Sequence, residues 1–246
     1  DDCERPKLGA AALWWLHFSL SELAGALVDR GALLVLRRGD SSAIIRSLVA
    51  ETGADAVFWN RRYTSAGMAA DKALKTALTD AGVAARSFNA TLLREPWELQ
   101  TKSGGPYRVF KPFWNSLRAD GPAEAKPIPL PARLTAYGAG IPSEELSDWG
   151  LLPTKPDWAK EFRERWRPGE KGADAVLEKF LQSAADTYAE MRDRPDIEGT
   201  SLLSPHLAFG EISPAAIWRA AHAAAAPGEQ IEKFLSELGW REFSWH

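Results

Sequence analysis

Apolar residues recur at steps of three and four across Ala11–Arg30 and stop at Gly31, which is the pattern of a helix closed by a glycine. A short apolar run, Ala32–Leu36, then has the length and composition of a buried strand. Asp40 or Ser41 can cap a helix over Ser42–Thr52 that ends at Gly53. Ala56–Trp59 reads as a second strand. Thr64 or Ser65 opens a third helix that runs to about Asp80, with Gly82 after it. Ala84–Phe88 reads as a third strand. Strands separated by helices of this length predict a parallel sheet with helical crossovers, and the order of elements predicts a lead-in strand ahead of Asp1.

The periodicity changes after residue 90. Ser103-Gly104-Gly105-Pro106 is a turn, and the glycines carry no dinucleotide-binding fingerprint. Tyr107–Trp114 follows, with Pro112 placed to begin a short helix. Pro122, Pro127, Pro129, Pro131, Pro142, Pro153 and Pro156 then punctuate a stretch that reads as an extended connector. From Asp157 the pattern is helical. Gly172–Arg192 predicts one long amphipathic helix stopped by Pro195. Ser204-Pro205 and Ser213-Pro214 each set a capping serine before a proline at the first helical position. Helices over Pro214–Ala226 and Glu229–His246 complete the chain. The predicted organisation is an α/β domain over 1–120, a proline-rich linker over 121–156 and an all-helical region over 157–246. The last helix has neither Gly nor Pro after it and no initiator Met opens the chain, so a piece truncated at both ends is expected.

Composition narrows this picture. The 246 residues are 45% hydrophobic and 26% charged, so a sizeable core is available. No apolar run approaches the length expected of a membrane span, and residues 1–4 lack the regions of a signal peptide. The single cysteine, Cys3, excludes an intrachain disulfide and a cysteine-rich zinc site, and a cytoplasmic setting is expected. The net charge of -3 gives no global footprint for nucleic acid, so any DNA contact needs a local basic face. Eleven tryptophans serve either core packing or stacking on flat rings such as nucleobases or a flavin.

Two segments carry candidate chemistry. Thr200, Ser201 and Ser204 offer hydroxyls beside a helix start, which suits either an anion such as phosphate or ordinary capping. On the last helix Phe234, Glu237, Arg241 and Ser244 fall at steps of three or four, with Trp240 beside Glu237. A carboxylate, an indole and a guanidinium there can bind a flat polar ligand near a phosphate. The same spacing also fits an i,i+4 Glu237–Arg241 ion pair beside core aromatics. His206 and His222 sit in no nucleophile or metal pattern, and no metal site is expected. The pairs Arg37-Arg38 and Arg61-Arg62 read as solvated surface charge, whereas Arg192 and Arg194 stand where they can meet DNA phosphates.

The run Gly-Thr-Ser-Leu-Leu-Ser-Pro-His-Leu-Ala-Phe-Gly-Glu-Ile-Ser-Pro at 199–214 resembles the flavin-binding signature of the photolyase/cryptochrome family. Phe234–His246 resembles that family's active-site helix, most like the bacterial cyclobutane pyrimidine dimer photolyases. Trp14–His17, Leu34–Asp40 and Tyr107–Trp114 resemble its α/β antenna domain. The resemblance implies a Rossmann-like antenna domain followed by the first part of an all-α FAD-binding domain. It implies light-driven dimer repair by electron transfer from reduced FAD, or, as the alternative, a cryptochrome-type photoreceptor without repair. By resemblance Tyr188 and Phe234 contact the flavin, and Thr200, Ser201, Leu202, Leu203 and Ser204 hold its phosphates. Glu237 meets the dimer's base edge, Trp240 packs on the flipped dimer, and these two are the candidate catalytic residues. Arg241 stands beside cofactor and DNA, and Arg192 and Ser244 lie toward DNA. Gly104, Gly105 and Pro106 occupy positions where one family pattern has an acidic folate ligand, so folate, deazaflavin or no antenna pigment all stay open. The implied partner is dimer-containing DNA, for a monomer with no membrane partner. The family's further helical segment lies beyond His246, so the chain alone is expected neither to hold FAD tightly nor to repair DNA.

Overall fold

The structure, a computed structural model, describes residues 8–123, 128–137, 140–224 and 228–246. In chain order its elements are α1 (Ala10–Val28), α2 (Ser41–Thr52), β1 (Ala56–Asn60), α3 (Ser65–Asp80), β2 (Ala84–Phe88) and α4 (Phe110–Asp120). They continue with α5 (Lys160–Arg165), α6 (Glu170–Ser183), α7 (Tyr188–Met191), α8 (Ser204–Phe209), α9 (Pro214–Ala224) and α10 (Glu229–Phe243). Two compact units are built from interleaved segments: 1–89 with 130–169, and 90–129 with 170–246. The sequence reading had expected three consecutive stretches. Tyr107–Trp114 instead belongs to the helical unit, and most of the proline-rich stretch belongs to the α/β unit.

In the α/β unit, β1 and β2 pair in parallel from Ala56↔Ala84 to Asn60↔Phe88. α3 supplies the crossover. Local chemistry sets the ends of the helices. Asp40 accepts a hydrogen bond from Ala43 N at 2.6 Å to cap α2, and Gly53 closes that helix in the left-handed region at φ 65°. Thr64 Oγ1 accepts from Gly67 N at 3.2 Å to cap α3. The arginine pairs are less solvated than expected: Arg37 grips Glu51 through two nitrogens at 2.8 and 2.6 Å, and Arg62 pairs with Asp71 at 2.7 Å.

The run Ala32–Leu36 is not a strand. A strand is defined by a ladder of backbone partners, and here Leu36 N donates to Ser143 Oγ at 2.9 Å while its carbonyl accepts from Glu144 N at 2.8 Å. The segment therefore lines a cleft of about 450 Å³ with Leu20, Ala24, Ile141 and Leu146. α1 also corrects the sequence reading, because its 19 residues are long and apolar enough, with a mean hydropathy of 1.3, to cross a membrane. Within the unit its buried Trp14 and Trp15 meet Phe162 and Trp166 edge-on at 5.6 and 5.5 Å.

The helical unit packs Phe113, Leu117, Leu177, Phe180, Ile217 and Leu235 at its centre. α4 begins two residues before Pro112, which is tolerated because first-turn amides have no intrahelical partner. The single helix expected over 172–192 is broken into α6, a 3₁₀ turn at Ala185–Thr187, and α7. Gln230 Oε1 on α10 accepts from Ala189 N at 2.6 Å, taking an amide that a continuous helix would use internally. Asp186 and Thr187 at the break are weak helix formers. α8 starts with Leu203 as its N-cap and no side-chain cap, so Ser204 does not cap it, whereas Ser213 caps α9 through Ala216 N at 3.1 Å. Of the helix expected over Pro214–Ala226, Ala225 and Ala226 lie outside the described residues, as does Cys3.

Gly199 packs against the end of α7. A Cβ there would stand 2.6 Å from the Met191 carbonyl oxygen, a backbone atom that cannot swing aside. Gly199→Ala is therefore expected to cost about 1–3 kcal/mol by overpacking. A urea titration checks this: the midpoint falls while the slope stays constant.

Candidate functional site

The candidate residues gather on α10 and on the segment from α7 to α8. α10 sorts its side chains by spacing: Phe234, Leu235, Leu238 and Glu242 are buried, and Trp240 and Ser244 are exposed. Gly239 lets the helix approach α4, since a Cβ there would lie 2.6 Å from the Trp114 ring. Trp240, the next residue, lies flat on Phe110 with ring centroids 3.6 Å apart and planes 8° from parallel. It remains 47% exposed, so a fixed indole is presented to solvent.

One turn back, Glu237 Oε1 meets two cations, Arg192 Nη1 from the residue after α7 and Lys233 Nζ at 3.0 Å. Burial raises the Glu237 carboxyl, but Arg192 and Lys233 together outweigh it and leave the group below its usual range. Arg192 in turn is raised, chiefly by Glu237, and its guanidinium lies over the Tyr188 ring at 5.4 Å. Tyr188 is buried against Phe180 and Phe234, with centroids at 5.6 and 5.4 Å, and Phe180 and Phe234 are 4.6 Å apart. These aromatics form the wall beneath the ion pair.

Arg241 turns the other way. It donates to Thr91 O at 2.7 Å and to Glu242 Oε1 at 2.9 Å, so the i,i+4 pair with Glu237 is not formed. Ser244 Oγ donates to Arg241 O at 2.7 Å. Phe234, one turn before Glu237, is buried in the core. The structure thus brings Tyr188, Arg192, Glu237 and Phe234 together, and sets Trp240 and Arg241 on either side of α10's exposed end.

In the 199–204 loop, Leu202 takes φ 55°, a left-handed conformation unusual for a leucine. Leu203 is buried, while the hydroxyls of Thr200, Ser201 and Ser204 make no hydrogen bond to any other described residue. Behind the loop, His206 Nδ1 and Glu211 Oε2 form a buried pair at 2.5 Å.

Sequence reasoning missed four residues. Lys233 was legible, because it stands four positions before Glu237. Phe110 and Trp114 come from a distant segment, and no local pattern announces that α4 lies under α10. Glu242 was unreadable as a core residue, because a carboxylate at an apolar helical position is uncommon.

A family model described as DNA photolyase matches residues 1–132. The chain is 52% identical over 241 residues to a deoxyribodipyrimidine photo-lyase of Agrobacterium fabrum, covering 97% of this chain and 50% of that protein. It is 31% identical to cryptochrome-1 of Arabidopsis thaliana, covering 96% of this chain and 36% of that protein. Among solved structures, a bacterial class III photolyase from Agrobacterium tumefaciens superposes with a TM-score of 0.91 at 50% identity, covering 99% of this chain and 51% of that one. The chain spans about half the length of these photolyase relatives.

Proposed function

This chain belongs to the DNA photolyase family, and from that premise we propose that it contributes to light-driven repair of cyclobutane pyrimidine dimers in DNA. The observation that carries the reading is Trp240, held flat on Phe110, half-exposed, and three residues from the Glu237 carboxylate. Drawing a dimer out of a duplex costs a few kcal/mol, least where stacking is already poor. An aromatic surface returns roughly 1–3 kcal/mol per stacked base, and a carboxylate on its rim can accept a base N–H. Glu237 and Trp240 take these two roles.

FAD is the proposed cofactor. The free hydroxyls of Thr200, Ser201 and Ser204, with the amides around Leu202 and Leu203, fit its phosphates. Tyr188 and Phe234 supply the apolar wall, and Glu237 and Arg241 the polar rim. Bound reduced flavin would supply, under light, the electron that opens the dimer and would take it back once the ring bonds have split, while the protein contributes position and electrostatics. Arg192, Arg241 and Ser244 are the proposed contacts to DNA beside Glu237 and Trp240. The interleaved α/β unit is the proposed light-harvesting part, with folate, deazaflavin or no pigment, and the helical unit is the first part of the flavin domain. A monomer working without a membrane partner completes the reading.

Blue-light photoreception without repair is the second reading, favoured only by the cryptochrome similarity. The test is light-dependent loss of dimers from a thymine-dimer oligonucleotide, using protein expressed from its complete reading frame. Repair that requires light and reduced flavin is expected. Flavin photochemistry with no dimer loss overturns the reading in favour of photoreception.

A further inference from the structure

Glu237 binds both of its cations through one oxygen. Arg192 Nη1 and Lys233 Nζ converge on Oε1, and Lys233 keeps 43% of its side chain exposed. Two cations do not share so small a space without an anion between them, because at a few ångströms unit charges repel by about 1–4 kcal/mol even in well-screened surroundings. The carboxylate is therefore the counter-ion that holds the pair in place. The guanidinium is fixed from below by the buried Tyr188 ring, and its Nε has a weak outer partner in Asp193 at 3.4 Å, a residue whose side chain is 88% exposed. No other described carboxylate pairs with Lys233 or with the inner face of Arg192.

Two prepositioned donors around one oxyanion also suit a backbone phosphate, which, like the carboxylate, carries one negative charge and whose two non-bridging oxygens can each take one of the donors. We propose that Lys233 joins Arg192 in a two-cation clamp for one DNA backbone phosphate, and that Glu237 is the internal counter-ion which that phosphate displaces. The inference rests on the DNA-binding reading above and adds Lys233 to it. It also gives Glu237 two states. Without DNA its carboxylate is spent on the cations. With a phosphate in the clamp it is released beside Trp240, where a base edge arrives. Backbone docking and readout of the lesion are thereby coupled through one side chain, and loose binding to undamaged strands is restrained by a carboxylate that must first be moved.

The experiment uses Lys233→Gln, Glu237→Gln and the double variant, each titrated over a salt series with oligothymidylate and with the same oligonucleotide carrying one thymine dimer. Lys233→Gln is expected to lower the salt slope by about one on both strands. Glu237→Gln is expected to tighten oligothymidylate about twofold or more, and the double variant to lose that gain, since coupled neighbours depart from additivity by this order. An unchanged slope in Lys233→Gln, or a Glu237→Gln gain that survives intact in the double variant, overturns the clamp. Absence of oligothymidylate binding by Glu237→Gln overturns it equally. The repair reading is judged separately: intact coupling with no preference for the dimer strand leaves the clamp standing and removes the reading, whereas preference for the dimer with independent effects removes only the clamp.

Discussion

Trp240→Ala is expected to weaken binding to a dimer-containing oligonucleotide tenfold or more while leaving undamaged DNA within about twofold, because stacking on a base is worth roughly 1–3 kcal/mol. The geometry makes the residue a platform backed by aromatic rings. Phe110 covers one face of the indole at 3.6 Å, Phe243 meets it edge-on at 5.9 Å, and 47% of the residue is left to solvent. An undamaged strand keeps its bases stacked on each other and meets the protein through phosphates, which Trp240 does not touch. A dimer, already poorly stacked, gains from a flat partner. Trp240→Phe separates stacking from bulk, and is expected to retain most of the discrimination. The urea midpoint of Trp240→Ala must be measured alongside, since the change uncovers Phe110. Equal weakening on both DNAs, or a loss of affinity that tracks lost stability, returns Trp240 to packing.

How far the sequence carried this site depends on the range of each interaction. The helices whose ends rest on local chemistry were readable almost to the residue: α2 between Asp40 and Gly53, and α3 behind Thr64. The parallel pairing of β1 with β2 followed from the helix between them. Ala32–Leu36 misled because an apolar run has the composition of a strand whether or not a neighbouring strand supplies the ladder. Its partners are Ser143 and Glu144, more than a hundred positions away. The 172–192 region misled for a similar reason, since the amide that breaks the helix is claimed by Gln230 on α10. On α10 itself the spacing named the participating residues but could not direct their side chains. Glu237 and Arg241 lie one turn apart, yet Arg192 and Thr91 draw them in different directions. The family resemblance identified the lineage of the chain from its motifs, and the tertiary contacts decide which of the motif residues touch.

Glu242 sets the pH dependence of the unit that carries this site. Its side chain is fully buried, accepts from Leu93 N at 2.6 Å and meets Arg241 Nη1 at 2.9 Å, so it ties the end of α10 to the 91–94 segment. Burial pushes its carboxyl up to about 7 from 4.5, with Arg241 and the amides of Leu93 and Arg94 pulling the other way. The unfolded chain gives up this proton near 4.5, while the folded chain keeps it until about 7. Between those values the folded state binds more protons, so the contribution of Glu242 to stability is fully present below about 4.5 and is lost as pH rises through 7. The loss amounts to about 3 kcal/mol by pH 8, at 1.36 kcal/mol for each pKa unit separating the two states. His246 acts in the opposite sense, because burial lowers its pKa and its contribution grows as pH rises through the ordinary histidine range. The informative quantity is therefore the difference between wild type and Glu242→Gln, in which the histidine cancels. Urea midpoints measured at pH 5 and pH 8 are expected to show wild type losing its advantage over Glu242→Gln by about 2–3 kcal/mol across that interval, part of the loss lying below pH 5. A difference that stays flat with pH would mean that Glu242 is ionised in both states and that Arg241 with the two amides, rather than burial, governs it.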